Sequence, residues 1–158
     1  MKKDAQILIQ KAEKDLNIAK SLSIENHDFL EGICFHCQQS VEKYLKAFLV
    51  CNNQEINFTH DITAVLSDCH KIDIDFNKLK ELNISNLTNY AVIVRYDDII
   101  EPTLDDAKEA ILIAEKVKLF VIEKINLLEQ KQTLYEEDAF TKDLNNRLNK
   151  GKGGPKLG

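Results

Sequence analysis

Helix breakers are almost missing from the first 150 residues, and no other feature limits the fold of this chain so strongly. The 158-residue sequence has five Gly and two Pro, and before residue 151 only Gly32 and Pro102 occur. In a helix interior Gly and Pro cost about 1 and 3 kcal/mol relative to Ala, so long stretches without them leave helices uninterrupted. The apolar residues recur with the matching period. Ala5, Leu8, Ala12, Leu16, Ala19 and Leu22 follow at steps of three and four, one face of a first helix over roughly 4–25.

A second helix is expected from Asp28, with Glu31 three residues on as a capping-box partner. Its apolar face reads Ile33, Cys34, Cys37, Val41, Leu45 and Phe48, and Asn52-Asn53 ends it near Val50. A shorter helix is expected after Thr59-His60-Asp61, with Ile62, Val65 and Leu66 inward. The alternating Ile72–Phe76 stretch has no partner strand and reads as a connector. A fourth helix is predicted over roughly 76–96. Pro102-Thr103 opens a last long helix with Asp105 and Asp106 in its first turn, where the dipole favours acids. Its stripe of Ala107, Ala110, Ala114, Val117 and Val121 ends near Leu128. The expectation is an all-α fold, an antiparallel up-and-down bundle of four to five helices with a C-terminal tail. The bundle would take residues 1–128. A short amphipathic tail helix carrying Phe140, Leu144 and Leu148 would take 129–149, opened by a Thr133–Glu136 capping box. The basic, Gly-rich 150–158 segment reads as disordered.

A chain of this length is expected to form one domain, burying about 68–70% of its unfolded surface without metal or disulfide support. The net charge of -5 disfavours non-specific attraction to nucleic acid, which leaves a local basic patch as the route to phosphate. No apolar run approaches the roughly 20 residues of a membrane span, and the N-terminus shows no signal core. Four Cys without such a signal read as reduced thiols, and the expected compartment is the cytoplasm.

Cys34-Phe35-His36-Cys37 contains a C-x-x-C, but Cys51, Cys69 and His70 supply no second closely spaced ligand pair. Cys on an apolar helix face behaves as a small hydrophobe, so no metal and no cofactor is expected. On helix two, Gln39, Glu42, Lys43 and Lys46 form a continuous polar ridge. His60-Asp61 stands where a helix N-terminus favours anions, the alternative being that Thr59 and Asp61 merely cap that helix. Arg95-Tyr96-Asp97-Asp98 puts a guanidinium suited to phosphate beside acids that would equally well pair with it.

The run Cys34-Phe35-His36-Cys37-Gln38-Gln39-Ser40-Val41-Glu42-Lys43-Tyr44-Leu45-Lys46-Ala47 resembles the HEPN (higher eukaryotes and prokaryotes nucleotide-binding) domain family. Thr59-His60-Asp61, then Tyr90 with Arg95-Tyr96-Asp97, then Asp106-Ala107 follow in the family's order, so the resemblance covers about residues 4–128. It implies a helical bundle that dimerises, a role near nucleotides or RNA, and frequent pairing with a minimal nucleotidyltransferase as a toxin–antitoxin system. Ribonuclease members of the family use an Arg, four to six intervening residues, then a His. Here the positions in question hold Ile100, Glu101 and Pro102 after Arg95, and Lys152, Gly153 and Gly154 after Arg147. The pattern is absent, which turns the reading away from an enzyme. The expectation is a dimeric nucleotide- or RNA-binding module with Arg95, Tyr96, His60, Asp61, Gln39, Glu42, Lys43 and Lys46 at its site. The rivals are an RNA endonuclease toxin with Arg95 and His60 as catalytic candidates, and a pure protein-interaction scaffold.

Overall fold

Small residues on the first helix let it lie against the second, and that pairing organises the bundle. In a computed structural model, which describes residues 1–22, 26–88 and 101–150, α1 spans Lys3–Ser21 and α2 spans Leu30–Cys51. Ala5, Ala12, Leu16 and Ala19 of α1 are buried. The hydroxyl of Ser40 donates to the Ala12 carbonyl at 2.8 Å, a contact a larger side chain at either position would obstruct. Leu22 lies by Gly32 and Ala12 by Ser40, while Lys2 bonds Asn53, so the two helices run antiparallel.

The start of α2 differs from the capping box expected at Asp28. The side chain of Asn26 accepts from the Asp28 N–H at 3.1 Å, and a single 3-10 turn, His27–Phe29, leads into the helix. The end is as expected: Asn53 takes a left-handed φ of 61°, which Asn tolerates better than most residues. Helix α3, Ile62–Ile72, has Asp61 as its N-cap, accepting from Thr63 N–H at 2.8 Å and Ala64 N–H at 3.4 Å. Ile62, Val65, Leu66 and Cys69 are its buried face.

The connector that follows is a 3-10 turn, Ile74–Phe76, and it opens α4, Asn77–Lys80. The long fourth helix predicted over 76–96 is therefore interrupted within its first half. Residues 81–85 form turns around Asn83, whose φ is 53°. The expectations for residues 89–96, Arg95 and Tyr96 included, lie outside the described residues, as do those for 23–25 and 151–158.

The last helix, α5, spans Leu104–Lys150. Thr103 and Asp106 close a reciprocal box at its start. The Thr103 N–H and hydroxyl donate to the Asp106 carboxylate at 2.7 Å each, and the Asp106 N–H donates back to Thr103 Oγ1 at 3.2 Å. Ala107, Ala110, Ala114, Val117 and Val121 are buried, as the stripe predicted. Lys20 reaches Glu115 and Lys118 reaches Glu13, both at 2.6 Å, tying α5 to α1. Phe120 meets Phe76 edge-on at 5.0 Å between centroids, and Lys124 pairs with Asp73 at 2.7 Å and with Asp75.

The helix does not end near Leu128. Thr133, read as a cap, instead donates its hydroxyl to the Glu129 carbonyl at 3.1 Å from within a continuous helix. By contacts the chain divides into two units, Met1–Lys124 and Ile125–Gly158. In the second, every residue from 130 to 149 is exposed. The described residues contain helices and turns and no strand.

Candidate functional site

Helix α2 carries a buried polar seam where a solvated ridge would be the ordinary outcome of its sequence. Gln38, Ser40 and Glu42 are buried, with Glu42 at 5% exposure. Buried polar groups are costly unless their hydrogen-bonding capacity is met. The seam meets it in sequence. Asp15 accepts from Lys43 Nζ at 2.6 Å. Lys43 also donates to Gln39 Oε1 at 3.0 Å, and Gln39 Nε2 donates to Gln38 Oε1 at 2.7 Å. Gln38 Nε2 donates onward to Glu42 Oε2 at 3.0 Å and to the His60 carbonyl at 3.4 Å. Lys46 closes the line, donating to Glu42 Oε1 at 2.6 Å and to the Thr59 carbonyl at 2.8 Å.

Each end of the seam carries a histidine. His36 Nδ1 lies 3.0 Å from Asp15 Oδ1. His60 Nδ1 lies 3.2 Å from Glu42 Oε2, and here the burial is asymmetric: the carboxylate is 6% exposed and the imidazole 73%. A carboxylate has no proton to offer, so Nδ1 of His60 carries the hydrogen. Nε2 is then the nitrogen left for a ligand, an acceptor in the neutral ring and a donor in the protonated one.

The backbone explains why His60 is held at this corner. Thr59 accepts from the Asp61 N–H at 3.1 Å, and Asp61 caps α3. The two carbonyls before the cap, those of Thr59 and His60, are taken by Lys46 and Gln38. Two side chains of α2 therefore fix the loop, and a third, Glu42, anchors the ring it presents.

Of the residues expected at a ligand site, the structure brings Gln39, Glu42, Lys43, Lys46 and His60 into one network. Asp61 stands beside it as a helix cap. Both lysines are committed to carboxylates, Lys43 to Asp15 and Lys46 to Glu42, and their side chains are only 22% and 12% exposed. They neutralise the seam; His60 is the member that faces solvent. Arg95 and Tyr96 lie outside the described residues. Sequence reasoning missed Asp15, Gln38 and the Thr59 carbonyl as partners. Asp15 is 28 residues from Lys43, and local spacing cannot show such a pair.

Beside the seam, Tyr44 donates to Glu13 Oε2 at 2.6 Å. Bonds from Lys118 and then from Tyr44 hold the Glu13 carboxyl below its ordinary range. Burial, with the Glu13 charge, pushes the Tyr44 phenol far up. The cysteines are core residues. All four are buried, and burial raises Cys37 to about 12. Among the described residues no group of three His, Cys, Asp or Glu side chains is placed to hold a metal ion. A groove of about 630 Å³ lies between the start of α1 and the end of α2, lined by Lys2, Ile7, Leu8, Val50 and Ile56. It shares no residue with the seam.

The model of the HEPN domain matches residues 5–125, the span that holds every residue of the polar seam. This chain belongs to the HEPN family. A relative from Methanocaldococcus jannaschii, named "Putative toxin MJ1304", is 33% identical over 144 residues, an alignment covering 79% of this chain and 93% of the relative. The crystal structure of ST0689, an archaeal HEPN homologue, superposes with a TM-score of 0.62 at 24% identity. It covers 78% of this chain and 99% of its own, and agrees with the all-helical HEPN fold. No helix among the described residues of this HEPN protein is long and apolar enough to cross a membrane.

Proposed function

We propose that this HEPN protein is a dimeric binding module for a nucleotide or an RNA segment, paired with a nucleotidyltransferase partner. The ligand's phosphate or ribose would be received at the His60 corner. One observation carries this reading: a largely exposed imidazole is held at Nδ1 by a buried carboxylate, with Nε2 left to act. A side chain recruited only for the core would not need to be so exposed, and a surface histidine without a role would not need a buried anchor. Gln38, Lys46 and Asp61 then act as positioning residues, fixing the loop rather than touching the ligand. Arg95, whose planar fork suits phosphate, is assigned to the same site from sequence order.

The test is titration of the wild-type protein and Arg95→Ala with nucleoside phosphates and a mixed RNA pool. Hydrogen bonds to charged groups are worth about 1.5–3 kcal/mol, so loss of a guanidinium contact predicts roughly ten- to hundredfold weaker binding. Unchanged affinity in the variant would remove Arg95 from the site, and no binding by either protein would end the proposal.

A second reading is favoured by the same pair. An imidazole backed by a carboxylate is equipped to take a proton from a ribose 2′-hydroxyl, and the relative named as a toxin makes RNA cleavage worth assaying. The absent Arg-x4-6-His pattern weighs against it. RNA left intact by purified protein, with and without divalent metal, would dispose of cleavage while leaving binding open.

A further inference from the structure

The polar seam of α2 contains the same unit twice. At one end the Asp15 carboxylate accepts from Lys43 on Oδ2 at 2.6 Å and holds the His36 imidazole on Oδ1 at 3.0 Å. At the other the Glu42 carboxylate accepts from Lys46 on Oε1 at 2.6 Å and holds the His60 imidazole on Oε2 at 3.2 Å. The amides of Gln39 and Gln38 join the two units into one line. Charge balance explains neither histidine, because each carboxylate already has its lysine.

His36 is held in the same manner as His60. The Ser40–Ala12 contact sets the register of the antiparallel pair, and Asp15, about one turn beyond Ala12, then lies across from His36, about one turn before Ser40. Asp15 is the more buried partner, at 16% exposure against 26% for the imidazole. A carboxylate has no proton to give, so Nδ1 of His36 carries the hydrogen and Nε2 is left as the acceptor of the neutral ring. Among the described residues no group bonds Nε2 of either histidine.

The ridge also points to the class of ligand. Its two carboxylates and two lysines cancel, so no net charge between the rings favours a phosphate there. A neutral ring offers a lone pair, which repels a phosphate oxygen and takes the proton of a hydroxyl. Two like acceptors on one ridge suit a ligand that repeats one hydroxyl along its length. His36 stands six residues before Glu42, about 9 Å along the helix at 1.5 Å per residue, beyond the span of the adjacent hydroxyls of a single ribose. RNA repeats a 2′-hydroxyl at every sugar, and DNA lacks it.

We propose that His36 is a second ligand contact, and that the ligand is single-stranded RNA whose 2′-hydroxyls are accepted by Nε2 of His36 and of His60. The inference rests on the His60 reading and narrows it from a nucleotide or RNA to a strand long enough to offer each ring a ribose. The phosphate stays with Arg95, as assigned above.

Fluorescence anisotropy of the full chain with labelled oligouridylate and oligodeoxyuridylate, each of about ten nucleotides, tests it, since the strands differ only in the 2′-hydroxyl. The wild-type protein should prefer the RNA by roughly tenfold or more. His36→Ala should bind RNA roughly three- to tenfold more weakly and bind DNA as the wild type does. Lys43 still neutralises Asp15 in that variant, so its fold should hold. His36→Phe, which keeps a ring beside Phe35 and lacks Nε2, should repeat the result. Unchanged RNA affinity in both His36 variants, with His60→Ala weakened, would overturn this inference and leave the His60 reading standing. Equal loss of RNA and DNA binding would show that His36 is structural, and would overturn it too. Equal affinity of the wild type for the two strands would overturn the hydroxyl assignment. No binding of either strand would end the His60 reading and this inference together.

Discussion

Glu42 is the residue on which the seam turns. Its two oxygens accept from Gln38 and Lys46 and anchor His60, and it is almost fully buried. Removing one member of a buried, hydrogen-bonded ion pair leaves the other charge uncompensated, at a cost of about 3–5 kcal/mol. Glu42→Ala should therefore destabilise the protein on that scale in urea unfolding. A loss under about 1 kcal/mol, the range of exposed pairs, would show that Lys46 escapes to water and that the seam is looser than its distances suggest. The comparison with Lys71 and Asp68 is instructive. That pair is equally short at 2.7 Å, but its lysine side chain is 71% exposed, and its removal should be nearly silent.

Among the helices, local chemistry decides the boundaries and long-range packing decides the rest. Thr103 and Asp106 form a complete capping box at the start of α5, so Thr103→Ala should cost about 1 kcal/mol in the unfolding midpoint analysis. No measurable change would mean that this end is already frayed. The same local chemistry made α1, α3 and the start of α5 legible from the sequence, because Asp61, Thr103 and the three-and-four spacing of apolar residues act within a few positions of themselves. It misled where a nearby pattern had a competitor. Asn26 takes the capping role expected of Asp28, and Thr133 bonds back to Glu129 within the helix instead of starting a new one. Asn83 breaks a pattern that otherwise reads as continuous helix. The polar ridge of α2 was legible as residues but not as a seam. Burial of Gln38 and Glu42 depends on α1 and on the Thr59-His60 loop, which no spacing within α2 reveals.

At the scale of the whole molecule the acid side of the stability curve has named sources. Hydrogen bonds hold Glu13, Asp75 and Asp106 below the ordinary carboxyl range, from Lys118 and Tyr44, from Lys124 and Lys78, and from Thr103. A carboxyl depressed in the folded state contributes stability that is complete above its unfolded pKa and is lost as pH falls through the folded value. Stability should thus be flat just above the ordinary Glu value of 4.5 and decline below it. Glu13→Gln should make that decline shallower, as measured by urea midpoints across the acid range. An unchanged slope would remove Glu13 from the account. The thiols report the opposite property, closure of the core. With all four Cys buried, and burial raising Cys37 and Cys69, a thiol reagent should react slowly with the native protein and rapidly after unfolding. Fast labelling at neutral pH would show that the bundle opens easily around α2 and α3.

The claim that His60 is a ligand-binding group, aimed by Glu42, is tested most directly by one comparison: RNA affinity of the wild-type protein and His60→Ala at two salt concentrations. The account predicts binding that weakens with salt, as phosphate contacts do, and a loss of roughly ten- to hundredfold in the variant with the fold intact. Equal affinity of the two proteins would contradict it.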